Sequence, residues 1–256
     1  MKKYIIVCLV IGMMMTFGTI AMAGPQPGTG IQQSPHDLST GGGTSMFYNG
    51  TGVTTDAMDR ICIYCHTPHH AMTAATAASN SLNYFPLWNH DVTALSYQTY
   101  TNGTLPNGLQ HQFNGAADSG QPGGVSRLCL SCHDGSVALS AYGQGNSQTL
   151  GLRAGAGGDV FGAGSRFLIG GTGDLSNHHP IGFNYRNVAA LDDEIADPDA
   201  TPVASLDPNM FIVDLLWADR MECSSCHDVH NTKNAGAKFT WVDDWQSALC
   251  RSCHLK

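Results

Sequence analysis

Apolar positions in this chain form short clusters separated by long polar or glycine-rich stretches. The longest apolar run covers residues 4 to 23, follows Lys2 and Lys3, and ends at the small-residue site "AMA". This layout is typical of a secretory signal peptide, so we predict cleavage after Ala23. A transmembrane anchor is the alternative, but the polar "GPQPGTG" that follows favours cleavage. The mature chain would then be secreted and have no transmembrane anchor.

Three further apolar segments predict short elements. "DAMDRICIYCH" at 56 to 66 has a capping acid and the apolar spacing of a short helix, and "WVDDWQSALCRSCH" at 241 to 254 predicts a final one. The segment "NMFIVDLLWADRMECSSCH" at 209 to 227 has helical or buried-strand spacing.

Polar and glycine-rich stretches fill the remainder. We predict an extended arm over residues 24 to 56, and a long loop or wrapping strand over 135 to 175, which contain twelve glycines. The expected fold is a single domain over 24 to 256 that is mostly irregular, with a few short α-helices and little β-structure.

Composition adds two constraints. Charged residues make up only 12% of the chain, too few for many amphipathic helices, so a cofactor is expected to supply part of the core. Without Lys2 and Lys3 the 12 basic residues fall to 10 against 20 acidic ones, a formal charge of -10. Nucleic acid is therefore not an expected partner.

One five-residue motif uses eight of the nine cysteines; the ninth is Cys8. It occurs as "CIYCH" at 62, "CLSCH" at 129, "CSSCH" at 223 and "CRSCH" at 250. In an exported chain, CxxCH predicts covalent haem c attachment. Zinc sites and disulfides are the alternatives, but neither needs the histidine. We predict four haem c groups, with thioethers at Cys62, Cys65, Cys129, Cys132, Cys223, Cys226, Cys250 and Cys253, and proximal iron ligands at His66, His133, His227 and His254.

Eight other histidines could fill the four remaining iron positions. His36, His90 and His179 lie beside capping or helix-breaking residues that would hold a ring rigidly. His69 and His230 each follow a proximal histidine by three residues, so each is expected to ligate a neighbouring haem. These are five candidates for four positions, so one of them either binds no iron or binds an iron in another subunit. His70, His111 and His178 are expected to be exposed polar side chains.

Spacing along the chain bears on the arrangement of the haems. Only 27 residues separate His227 from His254, so haems 3 and 4 are expected to be neighbours with His230 available between them. Stacked haem discs would then form the core.

The phrases "SPHDLS", "CIYCHTPHHA", "PLWNH", "CLSCHDGSVA", "HPIGF", "CSSCHDVHN" and "LCRSCH" occur in this order. They resemble those of secreted multihaem c-type cytochromes from metal-reducing bacteria, above all the tetrahaem outer-surface members that form extracellular electron-conducting filaments. The resemblance implies bis-histidine haems stacked in a continuous chain, with one distal histidine donated by the adjacent subunit. Two histidines are candidates to donate this ligand: His36, which lies on the arm, and His69. The arm of one subunit would supply the distal ligand of the terminal haem of another.

The expected function is electron transfer, not catalysis. Expected partners are further copies in a filament joined through haem contacts, other redox proteins, and electron acceptors outside the cell. The expected location is extracellular or on the cell surface, otherwise the periplasm. Two alternatives stay open: a soluble periplasmic shuttle, and a multihaem reductase with one open iron position.

Overall fold

A computed structural model describes residues 30–32, 34–39, 60–79, 85–100, 121–139, 141–143, 160–203, 209–232 and 238–255. The predicted signal peptide, most of the predicted arm and residues 144–159 of the glycine-rich segment lie outside these ranges. In the described ranges no helix is long and apolar enough to cross a membrane.

Regular structure is sparse. The α-helices are α1 (Ala74–Ser79), α2 (Gly124–His133), α3 (Tyr185–Ala189), α4 (Ile212–Leu215), α5 (Cys223–Cys226) and α6 (Ala248–Arg251). Short 3₁₀ turns cover Ile61–Tyr64, Gly171–Gly173 and Trp245–Ser247. Strands β1 (Phe183–Asn184) and β2 (Arg220–Met221) pair antiparallel, with Phe183 opposite Met221. The prediction of a mostly irregular chain with a few short helices and little β-structure is confirmed.

The predicted local elements are found in modified form. Of the first predicted helix, 56 to 66, the structure describes residues 60 to 66, which contain a 3₁₀ turn at Ile61–Tyr64, and residues 241 to 254 contain a 3₁₀ turn followed by α6. The ambiguous segment 209 to 227 contains α4, β2 and α5 in succession, so both its helical and its strand interpretations are partly right. Each element is too short for its apolar spacing to have separated helix from strand.

One apolar cluster dominates the C-terminal part of the chain, and we call it the C-terminal cluster. Its buried members are Phe183, Tyr185, Val188, Ala196, Val203, Ile212, Leu215, Met221 and Val242. Cys226 and Cys253 pack against it from two different motifs. Burial of these side chains therefore fixes the third and fourth motifs relative to each other.

The described residues between positions 60 and 143 contribute to three smaller clusters instead. One contains Met72, Ala77, Trp88 and Leu128; a second contains Tyr64 and Tyr142; the third contains Tyr97, Leu130 and Leu175. Leu128 and Leu130 come from α2, so this helix joins two of the clusters. Divided clusters of this size agree with a core completed by a cofactor, although haem stacking itself stays a prediction.

The longest described helix, α2, contacts α5. It begins after Gly123 and buries Ser126, Leu128 and Leu130. The Ser126 hydroxyl accepts a 2.8 Å hydrogen bond from the backbone N–H of Cys223 at the start of α5. This bond brings the second and third motifs together across 97 residues of chain.

Candidate cofactor sites

Each CxxCH motif is wound into a helical turn. The backbone N–H of His66 donates to the carbonyl of Cys62 at 2.8 Å, and the same bond joins His227 to Cys223 at 3.0 Å and His254 to Cys250 at 2.9 Å. In the second motif the turn is the end of α2, whose last residue is His133. One helical turn places the first cysteine and the histidine on the same side of the chain.

The eight motif cysteines are not joined in disulfides. Burial raises the pKa of Cys65, Cys132 and Cys226 to about 12. A structural zinc site binds thiolates. Across the described ranges, no three or more Cys, His, Asp or Glu side chains are grouped so that they could hold a metal ion.

Three of the four motif histidines have a fixed ring orientation. In each, Nδ1 donates a hydrogen bond to a backbone carbonyl, which leaves the lone pair of Nε2 free for a metal. These bonds join His66 to Pro86 (2.6 Å), His133 to Phe167 (2.8 Å) and His227 to Lys238 (2.9 Å). This is the arrangement that metal-binding histidines commonly adopt.

Glycine makes room for the bond at His133. Gly135 has φ of +73°, and a Cβ there would collide with the carbonyl of Phe161. The ring of Phe161 stacks on that of His133 at 5.3 Å between centroids. A side chain at position 135 would therefore displace the segment that supports this histidine.

Three motif histidines face a second histidine ring. The centroid separations are 6.1 Å for His66 and His230, 6.1 Å for His133 and His36, and 6.3 Å for His254 and His179. Two metal–nitrogen bonds of about 2.0–2.1 Å, plus two ring radii, give roughly 6 Å. The separation in each pair thus matches that of two imidazoles bound to one metal ion.

His36 belongs to the short part of the arm that the structure describes. Its ring stacks on Phe239 at 4.8 Å between centroids, with 5° between the planes. Burial, with a smaller contribution from His133, lowers the pKa of His36 to about 4, so the ring is neutral at physiological pH. Neutral imidazole is the form that binds metals.

Two hydrogen bonds of 3.1 Å anchor the arm. The N–H of Gly30 donates to the carbonyl of Asn231, and the Asn231 amide donates back to the carbonyl of Gly30. These two bonds hold His36 beside residues that follow the third motif.

The other two candidate ligands, His69 and His90, do not face a motif histidine. His90 is fully buried, with Nδ1 2.7 Å from the carbonyl of Asp91 and Nε2 3.0 Å from that of Ala138. Its Nε2 also lies 3.6 Å from the sulfur of Cys132. His69 is exposed.

This leaves His227 as the motif histidine without an opposite ring, counting only the residues that the structure describes. His111, expected to be an exposed polar histidine, lies outside those ranges. His70 is exposed and His178 is partly buried.

Neighbouring motifs in the sequence are also neighbours in space. The thiols of Cys129 and Cys223 share a hydrogen bond, and it contributes most to the raised pKa of Cys129. Cys132 contributes to the raised pKa of Cys65, and Cys253 to that of Cys226. The expected proximity of the third and fourth motifs is thus present, but His230, expected between them, faces His66 of the first motif.

Sequence reasoning missed two features of these sites. One is the set of carbonyls that fix the ring nitrogens, since these come from residues 11 to 34 positions away. The other is the buried carboxylate of Asp134 or Asp228, each directly after a motif histidine. The dipeptide "HD", which occurs at both motifs, was the sequence signal that could have identified these carboxylates.

Comparison with known families agrees with the motif chemistry. Residues 218–256 match the family model described as a doubled CXXCH motif, which covers the third and fourth motifs. No curated protein matches the chain. The doubled motif indicates covalent haem c binding and a multihaem c-type cytochrome-like protein that transfers electrons.

Proposed function

We propose that the chain carries four covalent haem c groups, one at each CxxCH motif, and passes electrons between them. The observation that carries this proposal is the set of three facing histidine pairs, each at the spacing of a metal bound by two imidazoles. When bound, the haem iron supplies one-electron exchange between its ferric and ferrous states.

The side chains of this chain would hold and orient the haems. The eight motif thiols would form the thioethers, and His66, His133, His227 and His254 would bind iron from one side. The second axial position of three of these irons would be filled by His230, His36 and His179. With both axial positions filled by imidazole, an iron has no open position for substrate, which favours electron transfer over catalysis.

Haem content can be counted directly. Protein from a host that matures c-type cytochromes should show a mass that includes four covalent haems, and a low-spin spectrum. Two haems only, both within residues 218 to 256, would contradict the four-haem proposal and keep the doubled-motif part of it.

We further propose that subunits assemble end to end into an extracellular filament (nanowire), as in outer-surface cytochrome E, which the chain resembles in its ordered motif phrases. Two observations support this. His227 has no facing ring within the described ranges, and His69 is an exposed histidine beside the first motif. His36 is the less favoured donor to another subunit, because its ring already faces His133 of the same chain.

Neighbouring histidines allow a matched test of the filament. His69→Ala should abolish fibres seen by electron microscopy, whereas His70→Ala should leave them intact, since both remove one exposed imidazole from the same turn. Fibres in both variants would exclude His69 as the donor. A monodisperse wild-type monomer with four closed haems would make the protein a soluble periplasmic shuttle instead.

A reductase is the second candidate function, and what favours it is that no described residue places a ring opposite His227. An iron bound by His227 alone would have an exchangeable position. A high-spin signal in the electron paramagnetic resonance spectrum, lost in His227→Ala, would support this candidate. A purely low-spin spectrum would exclude the reductase as a candidate function.

Export is proposed from the N-terminal sequence alone. N-terminal sequencing of the protein from culture medium or the cell surface should begin at Gly24. An N-terminus at Met1 in a cytoplasmic fraction would contradict it.

A further inference from the structure

The three facing histidine pairs differ in how their rings are turned. The first, second and fourth sites are the pairs that contain His66, His133 and His254. The angle between the two ring planes is 20° in the first site, 65° in the second and 77° in the fourth. The first pair is thus nearly parallel, and the other two pairs are crossed.

In the second site each histidine ring lies against a phenylalanine. His133 stacks on Phe161, with 5.3 Å between the centroids and 28° between the planes, and His36 stacks on Phe239, at 4.8 Å and 5°. Both separations fall in the range of about 4.5–7 Å over which aromatic rings attract each other. A ring stacked in this way loses the contact when it turns about its Cβ–Cγ bond. The two phenylalanines therefore oppose rotation of both imidazoles.

The backbone at Phe239 is held in an unusual conformation. Its φ is +57°, in the left-handed region that a bulky residue seldom adopts. Its carbonyl accepts a 2.6 Å hydrogen bond from the N–H of Asp228, and the carbonyl of Lys238 accepts one from Nδ1 of His227. These bonds hold the strained segment, and with it the Phe239 ring, where it meets His36.

The segment that carries Phe161 is held to the second motif. The carbonyl of Phe167 accepts a 2.8 Å hydrogen bond from Nδ1 of His133, and the rings of Phe161 and Phe167 lie 5.7 Å apart. The carbonyl of Phe161 lies so close to Gly135 that a Cβ there would collide with it. One short loop thus fixes His133 twice, by a hydrogen bond to a ring nitrogen and by a ring stacked on its face.

The angle between two axial imidazoles affects the electronic state of the iron that they bind. Each imidazole interacts chiefly with the iron d orbital directed perpendicular to its ring plane. Two parallel rings act on the same orbital and separate it in energy from its partner, whereas two crossed rings act on both orbitals and leave them nearly equal. In the ferric low-spin state, parallel rings give a rhombic electron paramagnetic resonance signal, and crossed rings give a signal with a much larger maximum g value.

We infer that Phe161 and Phe239 are positioning residues that hold the two imidazoles of the second site crossed around its iron. By the same ring angles, the fourth site has crossed ligands and the first has parallel ones. This inference rests on the proposed function, because it concerns irons bound between these pairs. Each phenylalanine acts through the histidine on which it stacks, as groups around metal ligands commonly do.

The test is electron paramagnetic resonance of the fully oxidised holoprotein at low temperature. The wild type should show a rhombic low-spin signal from the first site, and signals with a large maximum g value from the second and fourth. His36→Ala identifies the component of the second site, because loss of this ligand makes its iron high-spin. A wild-type spectrum with rhombic signals alone would overturn the inference.

Two variants test the phenylalanines from opposite sides of the second site. Phe161→Leu and Phe239→Leu keep an apolar side chain but remove the flat ring, so the imidazole is free to turn. Each should shift the maximum g value of the second-site component towards the rhombic range and leave the first-site signal in place. Leucine has a Cβ as phenylalanine does, so the backbone at position 239 is strained in both proteins.

Phe211→Leu is the matched control. It makes the same change at a partly buried phenylalanine directly before α4, outside the second site. All components of the spectrum should stay in place in this variant. A second-site component that is unchanged in either phenylalanine variant, or that changes as much in Phe211→Leu, would overturn the inference.

Haem content separates failure of the inference from failure of the proposed function. Each variant must first show four covalent haems by mass. If the wild-type protein lacks four haems, the proposed function fails and the inference fails with it. Four haems with a second-site component that does not respond to either phenylalanine reject the inference alone.

Discussion

The two halves of the molecule bury their apolar side chains differently. Around the third and fourth motifs, nine buried residues form the C-terminal cluster, and Cys226 and Cys253 pack against it. Around the first and second motifs, the apolar side chains that the structure describes are divided among three clusters with two to four buried members each. The C-terminal half thus has a polypeptide core of its own, whereas the N-terminal half needs more from its cofactors.

Loss of haem attachment should show this difference most strongly. Cys62→Ser with Cys65→Ser should increase amide hydrogen exchange across residues 60 to 143 by roughly 100-fold or more, because the small clusters cannot hold that region alone. Cys250→Ser with Cys253→Ser should leave exchange slow in α3 and α4. Hydrogen exchange followed by mass spectrometry measures both, and equal loss of protection in the two halves would contradict the comparison.

Truncating a buried side chain should lower the free energy of unfolding more in the C-terminal half than in the N-terminal half. Ile212→Ala empties the centre of the C-terminal cluster and should lower the free energy of unfolding by about 4 kcal/mol. Met72→Ala in a small cluster should cost about 2 kcal/mol, because fewer buried neighbours lose contacts. Urea denaturation at matched haem content gives both values, and a larger loss for Met72→Ala would reverse the interpretation.

A smaller effect is expected where the arm joins the two halves. Asn231→Gly keeps the backbone at φ of +51° accessible but removes the amide that donates to Gly30. It should cost about 1 kcal/mol and speed proteolysis of the arm near His36. Asn177→Ala, at an exposed position, is the control that should change neither quantity.

The smallest effect is expected at an exposed ion pair of the C-terminal half. The Arg186 guanidinium bonds to both oxygens of Asp199 and lowers the pKa of that carboxyl. A depressed folded-state pKa gives stability that is present above the unfolded value of about 3.9 and is lost as pH falls through the folded value. Thermal melting from pH 7 to pH 3 should show a slightly shallower acid loss in Asp199→Asn than in wild type; an identical loss would show that the pair contributes nothing.

Features that depend only on residues close together in the sequence could be predicted from it. The four motifs, the short helical turns and the sparse regular structure could all be inferred from local patterns. Three of the five candidate distal histidines, His36, His179 and His230, face motif histidines, although their role as ligands is still a prediction. The cue for His36 and His179 was a flanking capping or helix-breaking residue, and for His230 the spacing after a motif.

The pairing of histidines could not be predicted, because it depends on contacts between distant segments. His36 meets His133 because contacts with distant residues hold the arm in place, among them the bond from Asn231 to Gly30 across about 200 residues of sequence and the stacking of His36 on Phe239. His90 shows the opposite case. Its flanking residues predicted a rigidly held ring, and the ring is rigidly held, but between two backbone carbonyls instead of opposite a motif histidine.

The most direct test of the central claim is a cryo-electron microscopy map of the haem-loaded protein from the native cell surface, at a resolution that shows the axial ligands. The account predicts irons between His66 and His230, between His133 and His36, and between His254 and His179, with the iron at His227 closed by His69 of a neighbouring subunit. Irons bound by other histidine pairs, or motifs without haem, would contradict it.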